Sequence, residues 1–90
     1  MGTALIKIKI MPNSPETNLE EIKTKAKEII EQNEGKIDNF QEEPIAFGLK
    51  AIIVGFALDE SKELEPIENS LKEIESVSSV QVIDMRRAFG

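Results

Sequence analysis

The chain has 90 residues, of which 17 are acidic and 11 basic, so its net charge is −6 at pH 7. It contains no Cys and no His, which excludes disulfides, thiolate zinc sites and the side chains that most often act as general bases, nucleophiles or transition-metal ligands. Such an acidic chain is a poor nucleic-acid binder, because phosphate contacts supply most non-specific affinity, and its field suits a basic protein partner better.

The length favours one small domain spanning residues 1–90, too small for a deep active-site cavity of its own. No run approaches the ~20 apolar residues that a membrane-spanning helix needs. No apolar signal segment opens the chain either. We therefore expect a soluble, cytoplasmic protein that makes no membrane contact.

The first predicted element is a β-strand over residues 4–11. Isoleucines alternate with lysines there, which is the period-two pattern of a strand with one buried and one solvated face. The segment 12–15, with its two prolines, is expected to break the strand.

A helix is predicted next. Thr17 and Glu20 have the spacing of a capping box with Thr17 as the N-cap, and apolar residues then recur at every third or fourth position as far as Ile30. Gly35 is expected to end the helix in the left-handed conformation.

The middle of the chain holds a weak strand, an unusual turn and a strong strand. Residues 36–43 have few large apolar side chains and are followed by a proline, as is typical of an edge strand. Residues 50–58 are the most continuously apolar run and predict a central strand. Between them Pro44 and Gly48 frame Phe47, an aromatic residue in a connection. Such a side chain either folds back onto the core or is offered to a partner, and physics alone favours the core.

The last third of the chain is expected to form a short helix, with Pro66 in its first turn, and a strand over residues 77–85. A tail follows, which carries Arg86 and Arg87, the only arginines in the chain. Phe89 in that tail either packs back on the sheet or stays mobile.

The resulting order, β-α-β-β-α-β, with one apolar face on each helix, favours an α+β fold. It is a ferredoxin-like sandwich, a four-stranded antiparallel sheet with two helices on one face. Right-handed crossovers then place the first and third strands at the centre and the second and fourth at the edges.

Two motifs and their spacing carry a family resemblance. Glu16-Thr17-Asn18-Leu19-Glu20-Glu21 follows the first strand, Pro44-Ile45-Ala46-Phe47-Gly48-Leu49-Lys50 precedes the third, and Val80-Gln81-Val82-Ile83-Asp84-Met85 lies near the end. Together, over nearly the whole chain, they resemble the nucleotide-exchange domain of translation elongation factor 1-beta, and a chain with this domain alone is similar to the archaeal form. The resemblance implies an exchange factor, not an enzyme, which needs no cofactor. It would speed GDP release from the GDP-bound GTPase elongation factor 1-alpha.

The resemblance also implies a partner-binding site. In eukaryotic members the aromatic residue of a Pro-x-x-Phe-Gly turn enters a pocket of the GTPase, near the groups that hold Mg²⁺ and phosphate. Phe47 holds that place in this chain, Pro44 and Gly48 would shape the turn, and Ile45 and Lys50 would add contacts. From the residues alone, Lys50 could equally be a charge at the start of a strand.

The chain departs from the family at its end. Eukaryotic members carry a lysine next to last that reaches toward Mg²⁺, and this chain has none. Either Arg86 or Arg87 acts as the cation, or exchange proceeds without one. We favour the second alternative, because a guanidinium two or three residues earlier would not reach the same place. From the residues alone, both arginines could also belong to a solvated tail.

Other functions of this fold rank lower. A regulatory module that holds a small molecule at a dimer interface needs a glycine-rich strand-to-helix turn, and residues 12–15 do not form one. An acyl-phosphate hydrolase needs an arginine near the first turn, and RNA binding needs exposed aromatics and positive charge on the sheet. The Glu20-Glu21 and Glu42-Glu43 pairs are expected to be solvated rather than to bind metal. We expect the free chain to be a monomer.

Overall fold

The computed structural model of the chain describes residues 2–88 and has the element order that the sequence predicts. The strands are β1 (Thr3–Pro12), β2 (Lys36–Pro44), β3 (Lys50–Asp59) and β4 (Val77–Ala88). The helices are α1 (Leu19–Gln32) and α2 (Glu65–Lys72), and a 3₁₀ turn, Ala46–Gly48, lies between β2 and β3.

The strands form one antiparallel sheet in the order β2-β3-β1-β4. The predicted ferredoxin-like sandwich is therefore confirmed, with β1 and β3 at the centre and β2 and β4 at the edges. β1 ends at Pro12, the first residue of the segment that was expected to break it, and Pro12 still pairs with Val77 of β4.

The core lies between the sheet and the two helices. On β1 the alternate residues Ile6, Ile8 and Ile10 are buried while Leu5 and Lys7 are exposed, so the predicted period-two pattern is confirmed. The other elements contribute buried side chains in the same way: Ile52, Val54, Phe56 and Leu58 from β3, Ile22, Ala26 and Ile30 from α1, and Ile67 and Leu71 from α2. The opposite face of the sheet carries the lysines of β1.

The start of α1 differs from the prediction. Asn18, not Thr17, is the N-cap, and its side-chain oxygen accepts a hydrogen bond from the backbone N–H of Glu20 at 3.0 Å. The Thr17 hydroxyl instead donates to Oδ1 of Asn13 at 3.3 Å. Asn is a slightly better N-cap than Thr, so the helix begins one residue later than the capping-box pattern indicates.

The end of α1 also differs. Glu34, not Gly35, has the left-handed conformation, with φ of 66°. The Gly35 N–H donates to the Ile30 carbonyl at 2.8 Å and the Glu34 N–H to the Glu31 carbonyl at 3.0 Å, which is the Schellman pattern of a helix C-terminus. Gly35 is required for a different reason. A Cβ atom at this position would lie 2.5 Å from Cγ2 and 3.1 Å from the carbonyl oxygen of Ile30.

We therefore expect Gly35→Ala to lower the free energy of unfolding by about 1–3 kcal/mol, the usual effect of overpacking a buried contact. Ile30 is fully buried and its branched side chain cannot turn aside. Glu34→Gly is the matched control and should leave stability unchanged or slightly raised, since it relieves the left-handed residue. Urea unfolding of the two variants measures the difference. A larger loss in Glu34→Gly would contradict this account of the turn.

β4 is longer than predicted. Arg86 and Arg87 lie within the strand, where they pair with Leu5 and Ala4 of β1, so these two residues do not form a tail, although their side chains are mostly exposed. Backbone pairing with β1 does not depend on side-chain polarity, so the pattern of apolar residues does not show where the pairing ends. Phe89 lies outside the described residues.

Candidate partner-binding site

The turn between β2 and β3 presents Phe47 to solvent. The Ile45 N–H donates to the Leu49 carbonyl at 2.7 Å, and the Leu49 N–H donates to the Ala46 carbonyl at 3.3 Å. These bonds close the base of the turn. Phe47 lies at its tip, and 93 % of its surface is exposed, so the alternative in which it folds back onto the core is wrong.

The backbone of this tip is strained. Phe47 has φ of 63° and ψ of 30°, and Gly48 has φ of 78°. Glycine adopts this left-handed region freely, whereas for other L-residues it costs about 1–2 kcal/mol. A large apolar residue that is both exposed and left-handed gains nothing from its own fold, and such residues concentrate at binding sites.

A groove of about 210 Å³ opens between the turn and the loop at residues 13–18, which joins β1 to α1. The groove is lined by Pro12, Ser14, Pro15, Leu19, Glu42, Gly48 and Lys50. Lys50, which begins β3 and pairs with Pro44, thus brings a positive charge to the wall of the groove beside Phe47.

An ion pair fixes the strand that leads into the turn. Nζ of Lys23 on α1 lies 2.7 Å from Oε2 of Glu42 on β2 and 3.6 Å from Oε1 of Glu20. The hydrogen bond from Lys23, then its charge, and last the charge of Lys50 lower the pKa of Glu42. The bond to Glu42 is also the main cause that raises the pKa of Lys23. Both groups are therefore charged at neutral pH, and the pair ties α1 to the end of β2.

The two arginines already have carboxylate partners. Nε of Arg87 lies 2.5 Å from Oε2 of Glu60, and Nε of Arg86 lies 3.0 Å from Oδ2 of Asp84. Both guanidinium groups are mostly exposed, where such pairs contribute little free energy. They border a second groove, of about 470 Å³, whose apolar lining includes Leu64.

The structure separates the arginines from the turn. Arg87 pairs with Ala4 of β1, whereas Ile52, two residues after Lys50, pairs with Ile10. Lys50 is therefore level with position 12 of β1 and Arg87 with position 4, and eight residues at ~3.3 Å each put the two roughly 26 Å apart along the strand direction. Of the predicted site residues, the structure brings together Pro44, Ile45, Phe47, Gly48 and Lys50 and leaves Arg86 and Arg87 at the other end of the sheet.

Sequence reasoning missed Pro15, which lines the groove beside the turn together with Gly48. A signal was present, because the β-α-β-β-α-β order places the first strand-to-helix loop and the hairpin of β2 and β3 at the same end of the sheet. Two prolines within four residues also mark a rigid loop.

Within residues 2–88, no three acidic side chains converge in a way that could hold a metal ion. Over the same residues, neither helix has the length and apolar character needed to cross a membrane.

Comparison with known families decides what kind of protein presents this turn. Residues 5–88 match the family described as the EF-1 guanine nucleotide exchange domain. The chain belongs to this family. The predicted resemblance to elongation factor 1-beta is therefore confirmed, and Phe47 with its turn lies within the matched residues of an exchange domain.

Similar proteins agree with this membership. Elongation factor 1-beta of Methanocaldococcus jannaschii is 46 % identical over 89 residues, covering 98 % of this chain and 100 % of that protein. Elongation factor 1-beta of Methanosarcina barkeri is 44 % identical over 88 residues, covering 97 % and 99 %. Both relatives are archaeal.

Among solved structures, ribosomal protein S6 of Thermotoga maritima has a TM-score of 0.65 at 20 % identity, covering 98 % of this chain and 89 % of that one. The ACT domain of a Chlorobium tepidum GTP pyrophosphokinase has a TM-score of 0.63 at 14 % identity, covering 88 % and 96 %. At these identities the two likenesses show the fold alone.

Proposed function

We propose that the chain promotes GDP release from elongation factor 1-alpha during translation elongation, and that Phe47 is its main anchor on the GTPase. In this proposal the chain is a single-domain monomer in the cytoplasm. It catalyses no reaction itself and makes no contact with nucleic acid. The observation that carries the proposal is the exposed, left-handed Phe47 at the tip of a hydrogen-bonded turn, in a chain of the exchange-domain family.

The exchange would work by differential binding. A GTPase holds GDP tightly when its switch segments are ordered and Mg²⁺ neutralises the phosphates. A partner that binds the state with disordered switches more tightly shifts the population toward that state, and the shift equals the difference in affinity.

Phe47 can supply part of that difference. Burying a Phe side chain is worth about 1.5–3 kcal/mol, or roughly one to two decades in an equilibrium constant. The remainder would come from the residues grouped around the turn, with Pro44 and Gly48 fixing its shape and Ile45 and Lys50 adding contacts. Lys50 could meet an acidic group of the GTPase at the groove beside Phe47.

Arg86 and Arg87 would form a second, weaker contact. They lie at the end of the sheet away from Phe47 and are engaged with Asp84 and Glu60. A rigid domain that places Phe47 near the Mg²⁺ and phosphate groups cannot bring these guanidinium groups to the same place. This geometry favours displacement of Mg²⁺ without either arginine acting as the cation.

The test is release of fluorescent GDP from purified elongation factor 1-alpha, in the presence of unlabelled nucleotide and increasing amounts of the chain. Acceleration that saturates with concentration supports the proposal. A release rate that does not depend on the chain at any concentration would refute it, and serum albumin at equal concentration controls for non-specific effects.

In the same assay we expect Arg87→Ala to reduce the acceleration by less than about fivefold, because an exposed charge pair contributes at most ~1 kcal/mol. Its effect should multiply with that of Phe47→Ala, since residues this far apart with no shared partners act independently. Lys72→Ala, on α2, is a control for the loss of one positive charge. An Arg87→Ala variant as defective as Phe47→Ala would contradict the assignment of Phe47 as the main anchor.

A further inference from the structure

We propose that Lys23 keeps the positive charge of Lys50 available to an acidic group of the GTPase, because it binds the Glu42 carboxylate that would otherwise pair with Lys50. Lys23 is thus a positioning residue, which acts through Glu42 and not by a contact of its own with the GTPase. The role rests on the proposed function for its purpose, since the acidic group belongs to elongation factor 1-alpha. The arrangement of the three charges is a property of the chain alone.

Two lysines can reach the Glu42 carboxylate. Glu42 on β2 lies opposite Ile52 on β3, and Lys50 lies two residues before Ile52, so it faces the same side of the sheet. Glu42 and Lys50 are therefore diagonal neighbours on adjacent strands, a separation of about 7–8 Å that long side chains can span. Both line the groove beside Phe47. Lys23 approaches the same carboxylate from α1.

In the structure Glu42 binds Lys23. Nζ of Lys23 lies 2.7 Å from Oε2 of Glu42 and 3.6 Å from Oε1 of Glu20, whereas within residues 2–88 no ion pair involves Lys50. The Lys23 side chain is only 19 % exposed, so its stem is packed and its ammonium group stays near Glu42. The hydrogen bond from Lys23 is the main cause that lowers the pKa of Glu42, and the charge of Lys50 lowers it least.

The neighbouring carboxylate on β2 is not available to Lys50. Oε2 of Glu43 lies 3.7 Å from Nζ of Lys9, on the opposite face of the sheet from Glu42. When Lys23 is removed, Glu42 therefore loses its partner and can turn to Lys50. Among the described residues that line the groove, Lys50 alone is basic. An ion pair with Glu42 would thus neutralise the positive charge that the groove presents.

The exchange assay tests this role by rescue. We expect Lys23→Met, which keeps the length of the stem and removes the ammonium group, to lower the acceleration about two- to fivefold at sub-saturating concentrations of the chain. This is the range for loss of one exposed charge contact. Adding Glu42→Gln should restore the acceleration, because a neutral side chain leaves Lys50 free. In a Lys50→Gln background, Lys23→Met should cause no further loss. No loss in Lys23→Met, or no rescue by Glu42→Gln, would overturn the proposal.

Two controls separate this role from an effect of net charge. Lys25→Met removes one positive charge from an exposed position of α1 and should leave the acceleration unchanged. The double variant Lys23→Met with Glu43→Gln has the same net charge as the rescued variant and should remain defective. Equal rescue by Glu43→Gln would show that the exchange responds to net charge alone, and would overturn the role of Lys23.

NMR tests the arrangement of charges without the GTPase. Lysine labelled with ¹³C at Cε reports the protonation of each ammonium group, and the Lys50 signal is assigned by its loss in Lys50→Arg. We expect Lys50 to titrate at a higher pH in Lys23→Met than in the wild type, because the released Glu42 then stabilises its charged form. Glu42→Gln should cancel this change. An unchanged titration of Lys50 in Lys23→Met would overturn the proposal. If the wild-type chain gave no acceleration, the proposed function would fail, and the titration would still decide whether Lys23 keeps Glu42 from Lys50.

Discussion

In the Phe47→Ala variant we expect the acceleration of GDP release to fall by about 10- to 100-fold, while the variant unfolds at the same temperature as the wild type. The loss follows from the free energy of burying a Phe side chain in a partner, about 1.5–3 kcal/mol. Stability should not change, because 93 % of the Phe47 surface is already in water and its removal leaves no cavity.

Stopped-flow release of fluorescent GDP measures the first effect, and thermal unfolding followed by circular dichroism measures the second. Leu5→Ala is the matched control, since Leu5 is also an exposed apolar residue, on the opposite face of the sheet from the helices. It should retain near wild-type acceleration. A Phe47→Ala variant with wild-type acceleration would move the anchor elsewhere, and one that unfolds early would show that Phe47 supports the fold.

For Ile8→Ala we expect a loss of about 2–5 kcal/mol in the free energy of unfolding, the range found when a buried Ile or Leu is truncated. Ile8 is fully buried at the centre of β1, opposite Val54 and Val82. A domain of this size has about 5–13 kcal/mol in total, so the variant should lose a large fraction of its stability.

Urea unfolding gives the value, and Leu5→Ala again serves as the control with an expected loss below about 1 kcal/mol. The two positions lie on the same strand and face opposite sides of the sheet, so their difference tests the register directly. Equal losses would mean that β1 has a different register, because a slip of one residue exchanges the two faces.

Much of the fold could be predicted from the sequence, because it depends on local patterns. The alternation in β1, the long apolar run of β3 and the charged, proline-ended β2 each indicate a place in the sheet, and the structure confirms all three. The two ends of α1 were predicted less accurately. The choice between Thr17 and Asn18 as N-cap involves only small differences in free energy.

Tertiary contacts account for the other differences between the predicted and the observed fold. Gly35 is needed where the chain passes close to Ile30, a contact that no local motif reveals. β4 extends through Arg86 and Arg87 because its backbone pairs with β1, although charged residues do not continue an apolar pattern.

The candidate site was partly accessible from the sequence. The composition of the turn and the family resemblance both pointed to Phe47, but composition could not show whether the ring packs inward or outward. The groove beside the turn brings together Pro15 and Gly48, which are more than 30 positions apart in the chain, and pattern reading does not reach that far. The distance of the arginines from the turn follows from the direction of β4 once the topology is known.

The left-handed backbone at Phe47 has a consequence for evolution. Gly and Asn tolerate this conformation far better than Phe, so a library randomised at position 47 and screened only for heat resistance should become enriched in those two residues. The variants that such a screen retains would lack the aromatic ring. If Phe47 anchors the GTPase as proposed, selection for stability and selection for exchange act on position 47 in opposite directions, and selection for exchange is what keeps Phe there.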